Sequence, residues 1–373
     1  MPATRPAIRI ERLVFSPGPV SSASRDGNVD TLRGLACLLL VAFHAVGSSS
    51  ASGLQVPDGS PYREFTNLFV HVRMPLFTFL SGLVYAFRPL SPGEALRFSG
   101  KKLRRLGVPL VVASTILYGL HLAVHDPVPP LSRMWSVYVS PFYHLWFVQA
   151  LLPVFAVLVI LESFGAVATL RRFLLVLTLS LGLYWCGPLV APDAFGLRNA
   201  TYLLPFFLWG LGVHRFRPAL QSQSALFAAA ACFVVTQGLH SYMVLTRVLA
   251  PIEPVAARSA WTLLIGMSAG LCSLRLLGRV PLMERIGTSS YAIYLYHPLF
   301  VAVALAGIGA IHVFPTSLLF AMAAAAGLAG PMVMEVLAAR VPLGGLLLEG
   351  RVRQSPPATV EAGDRRERAL RVA

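Results

Sequence analysis

Two residues that are costly in lipid stand on one apolar stretch, Asp30 to His44, DTLRGLACLLLVAFH. Arg33 is a permanent cation whose fork of N–H donors suits phosphate or carboxylate. His44 carries a ring that titrates near neutrality and can take a proton from a hydroxyl. Eleven residues of helix bring the two onto nearly one stripe and separate them by about 16 Å. A helix built this way can hold the charged end of a substrate at one level and do acid–base chemistry at another. Plainer readings exist: Arg33 as a snorkelling anchor, His44 as a hydrogen-bonding group between helices. Ionisable groups inside a span are nonetheless functional candidates. Asp30, three residues before Arg33, can cap the helix and pair with it.

Other side chains with chemical capacity lie further along. Ser290, Tyr294 and His297 recur at i, i+4 and i+7 and so share a helix face, with Pro298 removing a backbone hydrogen bond beside the histidine. That face reads equally as substrate-binding or as a polar packing stripe. His144 and Trp146 open another apolar run, and a cationic cluster, Lys101, Lys102, Arg104 and Arg105, precedes a third. His121 and His125 have the i, i+4 spacing of metal ligands but no evident third ligand, so no metal is expected. Cys37, Cys186, Cys232 and Cys272 are isolated, without a CxxC pair, and read as small buried hydrophobes. Ser81-Gly82 reads as a close-packing step between helices.

The elements that must position these residues follow from composition. The 373-residue chain is 56% hydrophobic and 13% charged, with a mean hydropathy of +0.68; a soluble domain carries about 25% charged residues. The fold class is all-α, a polytopic membrane protein. Ten spans are expected near 31–48, 67–87, 107–124, 143–161, 173–190, 200–214, 225–246, 258–277, 286–310 and 316–339. The alternating strands of a β-barrel are absent. Residues 1–29 read as a disordered cytoplasmic lead, 30–342 as the transmembrane domain, and 343–373 as a disordered cytoplasmic tail.

The net charge of +15 raises the question of nucleic acid. With the amino terminus inside and ten spans, all of the 31 Lys and Arg fall on the cytoplasmic side except Arg63, Arg73, Arg133, Arg198, Arg247 and Arg258. That bias is the positive-inside pattern, so the basic balance reports topology and affinity for the bilayer, and no nucleic acid is expected as a partner. On the same topology the histidines gather on the other side: His44, His71, His121, His125, His144, His240 and His312 are outer, His297 is near the midplane, and only His214 is cytoplasmic. Tyr62, Trp135, Tyr138, Tyr143 and Trp146 join them, as an interfacial aromatic belt or as a sugar-binding mouth.

Arg-x10-His in a first span resembles the signature of the acyltransferase 3 family, integral-membrane O-acyltransferases. Further pieces follow in the family's order: MPLFTFLSGLVYAF from Met74, KKLRRLGVP from Lys101, HLWFV from His144 and GTSSYAIYLYHPLF from Gly287. The family commonly has Arg-x-x-Arg in the basic cluster. Here the pair is Lys101 with Arg104 or Lys102 with Arg105, which keeps the charge and loses one bidentate fork. The resemblance covers about 30–342. It implies transfer of an acyl group, usually acetyl, from cytoplasmic acyl-coenzyme A to a hydroxyl outside, commonly on a carbohydrate, with no permanently bound cofactor and residence in the inner membrane.

On this reading Arg33 and residues 101–105 would hold the phosphates of the donor, and the pantetheine arm would reach His44 as general base. Direct attack and an acyl-histidine both remain open, as does the oligomeric state. His144, Trp146, Ser290, Tyr294, His297 and Asp30 would serve the acceptor or support the site. The rival classes are a secondary transporter, for which the inverted repeats are missing, and a scaffold, which leaves the outer histidines unexplained.

Overall fold

A computed structural model describes residues 22–124, 131–247, 258–309 and 314–351. Among the described residues every regular element is helical. In chain order the α-helices are α1 (Ser22–Val46), α2 (Pro61–Leu68), α3 (Val70–Phe87), α4 (Ala95–Lys102), α5 (Val108–Val124), α6 (Ser136–Val139), α7 (Trp146–Ser163), α8 (Leu170–Val190), α9 (Leu197–Arg215), α10 (Arg217–Leu220), α11 (Gln223–Leu245), α12 (Ala260–Leu276), α13 (Pro281–Thr288), α14 (Ser290–Gly309), α15 (Thr316–Ala338) and α16 (Gly344–Glu349). Helix is the fold open to a lipid-embedded chain that does not close a barrel, because each backbone polar group must find its partner internally. Ser60, Thr169, Ser222 and Ser259 start α2, α8, α11 and α12 by accepting the backbone N–H three residues on.

Each of the ten expected spans coincides with one of these helices. Among the described residues eight helical stretches are long and apolar enough to cross a bilayer by length and composition. Of the other two, α12 is apolar but only 17 residues long, and α9 carries Arg198, Asn199 and Arg215 at its ends. The chain is a multi-pass membrane protein. α8, α11 and α15 turn Leu175, Leu179, Phe227, Val234, Val333 and Val336 outward, which suits contact with lipid.

Two boundaries differ from the sequence reading. α1 starts at Ser22, inside the expected lead, because its first turns have a tertiary partner. Gly27 lies against the Arg279 side chain, Gly34 against the backbone of Met283 and Gly287 against that of Asp30, and the Val280 N–H donates to Thr31 Oγ1 at 3.1 Å. Local composition carries no trace of that docking. At the other end α16 falls within the expected tail; it packs on α5, and Gly350, at φ +65°, lies against the backbone of Arg104 and Arg105. Residues 1–21 and 352–373, the rest of the lead and tail, lie outside the described residues.

The centre of the bundle is the contact between α3 and α9. A Cβ on Gly82 would come within 1.9 Å of the Phe207 carbonyl oxygen, and one on Gly210 within 1.9 Å of that of Phe79. Two glycines, each opposite the other helix's backbone, let the axes approach as larger residues cannot. At the end of α3, Tyr85 donates to Glu162 at 2.9 Å, and Arg215 pairs with the same carboxylate at 2.6 Å. α3, α7 and α9 are thereby tied together at the end where α1 begins.

We expect Gly82→Ala or Gly210→Ala to lower thermal stability in detergent by about 1–3 kcal/mol. Gly119→Ala and Gly182→Ala, where nothing lies within 4 Å, should have no such effect. A second expectation concerns α16. Arg351 bridges Glu335 at 2.9 Å and Glu349 at 3.1 Å. Burial, and then the neighbouring Glu335 carboxylate, push Glu349 up from an ordinary 4.5 to about 7. A raised carboxyl favours the docked state at low pH, and that contribution fades as pH rises through about 7. Hydrogen exchange of residues 344–350 by local opening, corrected for intrinsic rate, should therefore speed up between about pH 4.5 and 7 and level off above that, and Glu349→Gln should remove the change.

Candidate active site

Three helices bring three imidazoles together. α1 supplies His44 two residues before its end, α14 supplies His297, and a 3-10 turn leading into α7, Tyr143–Leu145, supplies His144. Ring centroids are 4.6 Å apart for His44 and His297, 5.2 Å for His144 and His297, and 5.9 Å for His44 and His144. His297 and His144 are buried, and His44 is half-buried. Tyr294 donates its hydroxyl to the His144 carbonyl and fastens α14 to the turn.

The carbonyls around these rings fix their protons. A carbonyl oxygen only accepts, so His297 Nδ1–H must be the donor to Ile293 at 2.7 Å and Tyr294 at 3.0 Å. In a neutral ring this leaves His297 Nε2 as an acceptor, and it lies 3.0 Å from His44 Nδ1. His44 Nδ1 also lies 3.0 Å from the Leu40 carbonyl. Both neighbours ask for a proton on His44 Nδ1, so its Nε2 bears the lone pair. By the same argument His144 donates Nε2–H to the Leu295 carbonyl at 3.0 Å. An imidazole held in one tautomer by a second group is the arrangement that turns histidine into a directed base.

His44 lines a cavity of about 520 Å³. Leu40, Met74, Leu117 and Leu299 form apolar walls, and His144, Trp146 and Tyr294 complete the inner end. The rim is the loop of residues 47–53, where Gly47 and Gly53 take positive φ. Arg63, itself buried, clamps that loop by donating to the carbonyls of Gly47 at 2.9 Å and Val56 at 3.1 Å. Tyr143, also at positive φ (+43°), bonds its hydroxyl to His121 at 3.0 Å across the mouth. Positive φ at a non-glycine residue is a held conformation, common beside binding sites.

One cavity residue was not foreseen as part of the site. Arg73, on α3, is 3% exposed, and its guanidinium carbon sits 3.8 Å from the centre of the Phe43 ring. Its Nη1 has no hydrogen-bond partner. The sequence reading counted Arg73 among the six outer arginines, although an arginine inside an apolar run was itself the signal to heed.

With this geometry in place, comparison with known proteins identifies a family. Residues 26–336 fit the family model of an acyltransferase domain, acyltransferase 3. The chain belongs to the acyltransferase 3 family. No curated protein and no solved structure gives a significant match. Membership makes this a membrane acyltransferase.

Within that acyltransferase domain, the residues singled out in the sequence fall into two groups. His44, His144, Trp146 and Tyr294 line one cavity, and His297 lies directly behind it. Asp30, Arg33, Ser290 and the 101–105 cluster do not line it. Arg33 pairs with Asp30 at 2.8 Å near the start of α1, and the Ser290 carbonyl faces Cys37. A short π-helix, Leu103–Gly107, joins α4 to α5 and splits the cationic cluster. Lys101 and Arg104 face outward, exposed. Lys102 turns in over the Phe155 ring at 4.0 Å, and Arg105 lies 5.7 Å from the Tyr291 ring.

Of the other histidines, His71 bonds Thr262 Oγ1 at 2.8 Å and stacks edge-on with His240. That pair helps join α3, α11 and α12 outside the cavity. His214 packs on Phe87. His125 and His312 lie outside the described residues, so the His121–His125 spacing is not placed. Among the described residues no group of three or more His, Cys, Asp or Glu is arranged to hold a metal.

His297 should act on catalysis through His44. We expect His297→Phe, which has no acceptor, to lower acyl transfer at least about tenfold, the equivalent of one hydrogen bond of about 1.4 kcal/mol. His297→Gln, whose amide oxygen can accept from His44 Nδ1–H, should recover part of that loss at equal protein stability.

Proposed function

We propose that this acyltransferase moves an acyl group, acetyl by preference, from acyl-coenzyme A to a hydroxyl of an extracytoplasmic acceptor, a cell-surface or exported carbohydrate, and works in the cytoplasmic (inner) membrane. The observation that carries the proposal is the fixed tautomer of His44, which leaves a basic nitrogen on a half-buried ring at a cavity large enough for a sugar. The acceptor hydroxyl gives its proton to His44 Nε2 as its oxygen attacks the thioester carbonyl. The carbon–sulfur bond then breaks, and the departing thiolate takes the proton back from Nε2. This is direct transfer, with no acyl-enzyme.

The donor is bound from the end of α1 opposite the cavity. Arg33 stands eleven residues before His44, about 16 Å along the helix, a span suited to the extended pantetheine arm. Lys101 and Arg104, exposed near the same end of the bundle, take phosphates of the nucleotide. Lys102 and Arg105, engaged with aromatic rings, shape the entry from within. Trp146 and Tyr143 offer apolar faces to a sugar ring.

In purified protein, His44→Ala should cut acyl transfer by about 10²–10⁴-fold while coenzyme A affinity persists. A packing role would instead cost about 0.6 kcal/mol of stability and leave activity in place. Transfer and coenzyme A binding measured on one His44→Ala sample separate these outcomes, and substantial remaining transfer would remove His44 from the mechanism.

A further inference from the structure

We infer that Arg73 is a receptor for an anionic group, a carboxylate carried by one of the two substrates, bound in the cavity beside His44. The inference rests on the acyltransferase reading above: it either puts a carboxylate on the acceptor, which that reading leaves open, or replaces the acetyl preferred there with a dicarboxylic acyl group.

A guanidinium taken out of water is strongly unfavourable unless paired. Arg73 is 3% exposed, its Nη1 is unbonded, and no carboxylate among the described residues pairs with it. The Phe43 ring beneath it supplies a cation–π contact, which offsets part of the desolvation but gives the five N–H donors no acceptor. The described residues that line the cavity include no Asp, Glu or Lys, so Arg73 is the formal charge the cavity presents.

Position adds to charge. Phe43 bridges Arg73 and the base: the guanidinium lies 3.8 Å from its ring centre, and the His44 ring lies 5.0 Å from it. A small substrate can therefore touch both residues at once. The arginine fork matches a carboxylate bidentately. A carboxylate that arrives with the substrate gives these N–H donors the acceptors that the described residues do not supply. A neutral isostere would leave that cation unpaired, which is how a buried polar site rejects the wrong substrate.

The carboxylate has two possible carriers, a uronic-acid acceptor or a dicarboxylic acyl chain, and one experiment separates them. Full-length protein in lipid nanodiscs is given labelled acetyl- or succinyl-coenzyme A, with the 4-nitrophenyl β-glycoside of glucuronic acid or of glucose as acceptor. We expect at least a tenfold preference in kcat/KM either for the glucuronide over the glucoside or for succinyl over acetyl. Arg73→Gln should bring that ratio close to one and Arg73→Lys should keep part of it, both by raising KM for the charged partner. Equal rates for charged and neutral partners in the wild type would overturn the inference. So would an Arg73→Gln loss that is the same for both, which would assign the residue to the transition-state oxyanion.

Binding gives an arm that needs no turnover. Glucuronate or succinate, but not glucose, should raise the thermal stability of the wild type and not of Arg73→Gln. If neither donor supports transfer, the acyltransferase reading of the site fails, while this shift still decides the anion site; its absence in the wild type would overturn the inference.

Discussion

The Nδ1–H of His44, held between the Leu40 carbonyl and His297 Nε2 at 3.0 Å each, is the contact on which the rest of the site depends. It sets which nitrogen is basic and how the ring is turned. Its geometry exists only because α14 lies against α1, and α14 is fixed in turn by Tyr294 on the turn before α7. The backbone-on-backbone seams at Gly34 and Gly287 bring α13, just ahead of α14, onto α1. Without His297 the His44 ring would keep the Leu40 carbonyl as its one Nδ1 partner.

Around that contact the bundle separates two kinds of work by distance. Cations cluster at the start of α1 and where α4 runs into the π-helix, while the cavity opens at the end of α1. An apolar core lies between them, with Leu76, Phe79, Leu80 and Leu83 of α3 nearly or fully buried. In so dry a setting electrostatic interactions act at short range with little screening. On the proposed reading, one arginine at the cavity wall would weigh more on substrate choice than the cations at the start of α1 and around 101–105.

The sequence was most legible where cost in lipid made residues conspicuous. The Arg33–His44 stripe, the His144 turn and the Tyr294–His297 face each stood out as polar groups in apolar runs, and four of those five residues meet at or behind one cavity. Ser81-Gly82 was legible as a packing step, although its partner, Gly210, was not, because no local signal says which helix a glycine will face. Arg73 was tallied among the six outer arginines and not read as part of the site. Its neighbours, Phe43 and the His44 ring, become neighbours only when α1 and α3 pack. The helical character of residues 344–349 escaped for the same reason: α16 owes its place to α5 and to the backbone of Arg104 and Arg105, not to its own composition.

The central claim is a proton position, and nitrogen NMR reads it directly. In protein carrying ¹⁵N-histidine in bilayers at neutral pH, the resonances missing from His44→Ala identify His44. The account predicts a neutral ring with a protonated, pyrrole-type Nδ1 and an unprotonated, pyridine-type Nε2. A ring with the proton on Nε2, or one protonated on both nitrogens, would contradict it.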